Sequence, residues 1–222
     1  MNRSHSRLVL LLLTSTLSGC SLIPARPPLL ARHDFGPPPQ HAQTVDFSTQ
    51  ERLLLNGFSA PEWLKTTSIQ YRLLYDDPTR LRAYAYHQWL APPSKLMEQR
   101  WQEQGATQGH NTTTNTGLLG YRLKVELNRF EQVFDSPDAA RVVIQARAMV
   151  MKPDQAKPVM ERLLTAQRES APDVQGAIES LASLADTLIT DIRQWAKLRS
   201  LSDLGRSTAE KPDLDRFVDP FR

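Results

Sequence analysis

Leu17-Ser18-Gly19-Cys20 sets the only cysteine of this 222-residue chain directly behind an apolar run and a basic N-terminus. A sulfur nucleophile in that position can take up a diacylglyceryl group as a thioether, and the small residues Ser18 and Gly19 leave the backbone open to a signal peptidase. The parts of a bacterial lipoprotein signal are all present: Arg3 and Arg7 without an acid, an apolar core from Leu8 to Leu17, then the cleavage motif Leu17, Ser18, Gly19. That core is ten residues long, half of the roughly 20 needed to cross a bilayer, so it reads as a signal and not as a membrane span. Cys20 is the expected lipid-attachment residue, with palmitate-type acyl chains. Residues 1–19 then leave the fold.

No other group of residues has the spacing of a reactive site. His5, His33, His41, His87 and His110 form no pair at metal-ligand spacing, and the chain contains no Gly-Lys-Ser phosphate loop and no Gly-x-Ser-x-Gly elbow. Asp76-Asp77 precedes Pro78 and reads as a turn, not a catalytic carboxylate pair. The expectation is a protein that is not an enzyme and has no metal or cofactor.

Removing the signal leaves 25 basic and 24 acidic residues among 203, so the pI of 9.1 for the whole chain is not a nucleic-acid signature. With Cys20 acylated no thiol is left for a disulfide, and stability must come from a packed core. A chain of this length can bury one.

Six of the sixteen prolines fall between residues 21 and 50, which predicts a tether over 20–50 with a short strand at 30–35. At about 3.1 Å per residue in polyproline geometry, a dozen residues hold the domain roughly 35 to 40 Å from the lipid. The run from Arg52 to Phe58 predicts a buried strand. Ile69 to Tyr75 and Arg80 to Trp89 alternate with period two around Asp76-Asp77-Pro78-Thr79 and predict a hairpin, and Ala91-Pro92-Pro93-Ser94 then opens a helix over Lys95 to Gln104. Gly105 to Gly117 is polar and reads as a flexible loop.

Tyr121, Leu123, Val125 and Leu127 alternate until Phe130 breaks the parity, which points to a bulge. Asp135-Ser136-Pro137-Asp138 turns into Ala140 to Met151, giving a second hairpin with Val142, Ile144, Ala146, Ala148 and Val150 on one face. Lys157 to Arg168 fits no period. From Asp173, a potential N-cap, Ile178, Leu181, Ala185, Leu188, Ile192 and Trp195 recur at helical steps. Residues 200–222 read as a mobile polar tail.

Trp63, Tyr71, Tyr84, Tyr86, Trp89 and Trp101 lie close together in sequence and serve mostly to pack the sheet on its helices. If Leu81, Ala83 and Ala85 face the core, Tyr84 and Tyr86 face away from it and form a candidate interaction surface.

The sequence resembles the ABC-type transport auxiliary lipoproteins, the family that includes the Pqi-type outer-membrane lipoprotein. The resemblance is carried by His33-Asp34-Phe35-Gly36-Pro37, Ala60-Pro61-Glu62-Trp63-Leu64, Ile69-Gln70-Tyr71-Arg72-Leu73, Tyr84 through Trp89-Leu90-Ala91-Pro92-Pro93, Tyr121 to Leu127 and the helix from Asp173 to Trp195. It implies an α+β fold, a single domain over 51–199 with a largely antiparallel mixed sheet and two main helices packed on it, and it tips Lys157 to Arg168 towards strand.

The resemblance also implies a non-catalytic periplasmic accessory lipoprotein of a lipid-transporting ABC system. Its partners would be a mammalian-cell-entry (MCE) type substrate-binding protein and an ABC permease and ATPase, with self-association into a homo-oligomer left open. Ser21 after the cysteine is compatible with outer-membrane sorting, on the periplasmic face. The alternative is a structural lipoprotein of outer-membrane assembly or integrity with no transporter partner.

Overall fold

The computed structural model describes residues 29–39, 53–106, 121–153 and 155–207. Cys20 with its cleavage motif, most of the tether, residues 107–120 and with them all of the predicted loop after Ala106, and residues 208–222 lie outside the described residues.

Among the described residues, seven strands form one mixed sheet: β1 (Ala31–His33), β2 (Leu53–Ser59), β3 (Ser68–Leu73), β4 (Asp77–Trp89), β5 (Tyr121–Ser136), β6 (Ala139–Met151) and β7 (Pro158–Ser170). Two α-helices join them, α1 (Pro93–Ala106) and α2 (Val174–Ser207), with a 3₁₀ turn at Glu62–Leu64. The order across the sheet is β1-β4-β3-β5-β6-β7, and β2 pairs with β5 beside β3. The long ladders β5·β6, β6·β7 and β3·β4 are antiparallel, whereas β1·β4, β2·β5 and β3·β5 are parallel and short. The expected α+β class and the mixed, largely antiparallel sheet are what the chain adopts.

Period-two sequence produces the core directly. Leu123, Val125 and Leu127 of β5 and Val142, Ile144, Ala146 and Ala148 of β6 are fully buried on one face, and α2 covers them with Leu181, Ala185, Leu188, Ile189 and Ile192. Each such valine, leucine or isoleucine contributes about 1.5–3 kcal/mol by leaving water, and each alanine less. The bulge foreseen at Phe130 is a register shift between Leu127 and Arg129, after which Phe130 and Gln132 regain the inner face. Gly57, at φ 103°, sits in the irregular stretch of β2 between Leu55 and Phe58, where an L side chain would be strained.

The structure corrects several boundaries. The first turn lies at Leu74–Asp76, so Asp77, Pro78 and Thr79 already belong to β4; the Asp77 carboxylate accepts the Thr79 amide at 2.9 Å and holds the strand start. Helix α2 does not stop near Arg199 but runs to Ser207, so the first part of the expected polar tail is helical. The domain begins earlier than residue 51, because β1 and Phe35 belong to the packed unit.

Asp173 caps α2, its Oδ1 accepting the Gly176 amide at 2.6 Å. Gly176 is there for space: a Cβ would come within 2.4 Å of the Ala171 carbonyl oxygen and 2.8 Å of its amide nitrogen. Gly176→Ala should therefore destabilise the domain by about 1–3 kcal/mol, although alanine is the better helix former. A thermal or denaturant midpoint equal to or above the parent's would contradict this contact.

Candidate interaction surfaces

The anchor side of the domain is built where the proline-rich segment meets the sheet. β1 adds to the edge of β4 through three register pairs, from Ala31 and His87 to His33 and Trp89. Beyond it Phe35 enters the core, edge-on to Trp89 at 5.6 Å and near-parallel to Phe130 at 5.9 Å. Arg100 of α1, only 1% exposed, donates from one Nη to the carbonyls of Phe35 at 2.7 Å and Gly36 at 2.6 Å. Its Nε lies 3.5 Å from Glu103 and 3.6 Å from Asp186 of α2. Burial raises the Asp186 carboxyl, opposed by Arg100 and by the Gln104 amide that donates to it at 2.9 Å. One buried guanidinium thus ties the incoming chain, α1 and α2 together.

A second tie crosses β1 and β4. His33 Nε2 and His87 Nδ1 are 3.0 Å apart, with ring planes inclined by 16° and centroids 5.2 Å apart. That centroid spacing nearly equals the nitrogen separation plus two ring radii of about 1.1 Å, so the rings meet edge to edge and not face to face. Such a pair shares one proton, and a second proton would set two cations against each other. Burial first, then His87, lowers the His33 pKa, with Asp34 opposing.

The folded His33 thus releases its proton more readily than the unfolded one. The unfolded chain binds more protons as pH falls from about 7 through the folded pKa, and stability should fall over that interval. His33→Asn or His87→Asn should flatten this slope in denaturant titrations. An unchanged pH profile would contradict the pairing.

The two tyrosines singled out from the sequence do not form one surface. Tyr84 is half-buried on the inner face. Its hydroxyl donates to Gln132 Oε1 at 2.6 Å, its ring lies 4.7 Å from Tyr71, and burial pushes its phenol pKa up, with Tyr71 and Asp173 adding to the effect. Gln132 in turn donates to Ser170 Oγ at 3.0 Å and the Ala171 carbonyl at 2.8 Å, closing the sheet against the start of α2. Ala83 and Ala85, expected to face the core, are exposed instead. The cause is a register shift: Ser68 pairs with Gln88 but Gln70 with Ala83, so β4 bulges between them and ordinary alternation fails. Tyr86 lies in that bulge and is 49% exposed. Of the other aromatics, Trp89 is fully buried, Trp101 lies under Arg193 at 4.2 Å, and Trp63 is exposed.

Two open grooves flank α2. One, about 360 Å³, runs from His33, Asp34, Phe35 and Leu90 to Ile178 and Glu179. The other, about 640 Å³, lies between Pro37, Pro39 and Gln104 on one side and Glu179, Asp186, Thr187 and Asp191 on the other. Both mix apolar and polar lining, and the larger carries the carboxylates of Glu179, Asp186 and Asp191. On the sheet face away from the helices, Glu131 accepts from Arg72 at 3.2 Å and from Arg129 at 2.9 Å, beside the buried Val133 and Val143. Among the described residues no three His, Cys, Asp or Glu side chains converge as a metal site, and no helix is long and apolar enough to cross a membrane.

Sequence spacing gave no sign of Arg100 or of the histidine pair, since their partners lie 54 to 65 residues away. Cys20, Leu17, Ser18 and Gly19 lie outside the described residues.

The family model for ABC-type transport auxiliary lipoprotein components matches residues 34–193, from Asp34 in the anchor-side segment to Arg193 over Trp101. No curated protein matches the chain. Among solved structures, a Xanthomonas campestris protein described under DUF330 superposes with a TM-score of 0.60 at 17% identity, covering 81% of this chain and 97% of its own. A second, uncharacterised protein gives a TM-score of 0.56 at 12% identity, covering 75% and 97%. These likenesses establish a shared fold.

Proposed function

The chain belongs to the ABC-type transport auxiliary lipoprotein component family, and we propose that it is the lipid-anchored, non-catalytic periplasmic subunit of an ABC/MCE-type lipid transport system. The observation that carries this reading is the extent of the family match, which spans nearly the whole folded unit from Asp34 to Arg193. Cys20, acylated at the end of its signal, holds the domain on the periplasmic face of the outer membrane, with Ser21 supporting that sorting. The surface we assign to partner binding is the acidic groove along α2. Its role is to receive an MCE-type protein served by a permease and ATPase and to position it between the membranes.

Deletion of the gene tests this. The expected result is a barrier defect, seen as sensitivity to detergent or bile salt together with an altered phospholipid distribution between membranes. An intact barrier with unchanged lipid distribution would sink the reading.

A further inference from the structure

Leu29 is 93% exposed, Leu30 50% and Tyr86 49%. β1 runs parallel to β4 with Ala31 level with His87, so the register continued one step back sets Leu30 level with Tyr86. These three side chains stand where the chain enters the domain, nine residues beyond Cys20. Nine residues reach at most about 30 Å even when fully extended, so a lipid on Cys20 keeps this corner near the bilayer. The chain from Cys20 to His33 carries Arg26 and Arg32 and no acid; the first carboxylate is Asp34. Arg32 is exposed beside the leucines.

We propose that this corner lies on a phospholipid surface, with Leu29 and Leu30 below the headgroups, the Tyr86 phenol at headgroup level and Arg32 against lipid phosphates. The proposal rests on reading Cys20 as the anchor. Exposed leucines would otherwise sit in water within reach of hydrocarbon, and a basic stretch without acids matches an anionic surface. The proline-rich segment then acts as a short strap and not as a stand-off. The β1–β4 edge faces the bilayer, while β7, at the opposite end of the sheet, faces away from it.

Cys20 as the sole cysteine allows a direct test. The mature chain, coupled through the Cys20 thiol to a maleimide lipid in phosphatidylethanolamine vesicles with a minor share of phosphatidylglycerol, is footprinted with hydroxyl radicals. Oxidation of Leu29, Leu30 and Tyr86 should fall at least about threefold on coupling. Leu163 on β7, itself 54% exposed, should keep its rate. Equal rates with and without vesicles, or a fall at Leu163 as large as at Tyr86, would overturn the proposal. Because the coupling supplies the tether chemically, the footprint reads this contact whether or not the cell acylates Cys20. Acylation itself is read separately, from the mass of the native N-terminal peptide.

Discussion

Cys20→Ser is expected to abolish incorporation of labelled palmitate and to release the protein from alkali-washed membranes, with no change in the unfolding midpoint of the domain. Anchor and fold are separate in the chain. Among the described residues the first strand begins at Ala31, eleven residues beyond the thiol, and the core contacts described above are made by residues from Phe35 onward. Membrane attachment, in contrast, depends on the acyl chains: one chain of myristoyl length gives an association constant of about 10⁴ M⁻¹, and further chains multiply it. Losing all of them should lower membrane partition by at least about ten-thousandfold. The apolar core from Leu8 to Leu17 is too short to compensate as a stable span if cleavage also fails. Palmitate labelling that persists in Cys20→Ser would refute the attachment site.

Arg100→Met should give the largest loss of stability of any single polar substitution in the domain, about 2–4 kcal/mol. Methionine keeps an apolar stem of similar length but removes every donor. The carbonyls of Phe35 and Gly36 lose their partner, and Asp186 is left half-buried without its nearest cation. For a domain of this size the thermal midpoint should drop by roughly 5–15 °C.

The pH dependence gives a second readout. Burial already raises the Asp186 carboxyl, and loss of Arg100 raises it further. The folded variant then binds a proton that the unfolded chain has released, so the penalty should shrink as pH falls through the raised folded value. A variant as stable as the parent, or one whose penalty grows towards low pH, would show that Arg100 does not hold the anchor segment. Trp89 and Phe130 would still pack on Phe35, so partial attachment should survive and the chain should still fold.

The parts of the fold legible in the sequence are those where one residue period runs unbroken against one partner. The inner faces of β5 and β6 and the α2 stripe from Ile178 to Trp195 appear as read, because burial on one side leaves a period of two or of three and four. Strand β7 could not be read from its own residues. It is an edge strand in which Leu164 alone of its apolar residues is buried and Leu163 is exposed, so no alternation marks it; the family pattern decided it.

β4 misled for a different reason. Its bulge opposite Ile69 is set by pairing with β3 and β1, a tertiary cause that leaves no local signature, and it separates Tyr84 from Tyr86. The boundary between tether and domain was misplaced because prolines dominate residues 21–50. The three-residue β1 and the clamp on Phe35 and Gly36 draw on Trp89, Arg100 and Phe130, all distant in sequence. The histidine pair belongs to the same class: each imidazole looks isolated until β1 docks.

Purification of the acylated protein from native membranes, after brief cross-linking and in mild detergent, tests the central claim most directly. The account predicts that an MCE-type protein and an ABC permease with its ATPase are recovered with it, and that they are absent when the bait is the Cys20→Ser variant collected from the periplasm. Recovery of the acylated domain free of any transporter component would contradict it.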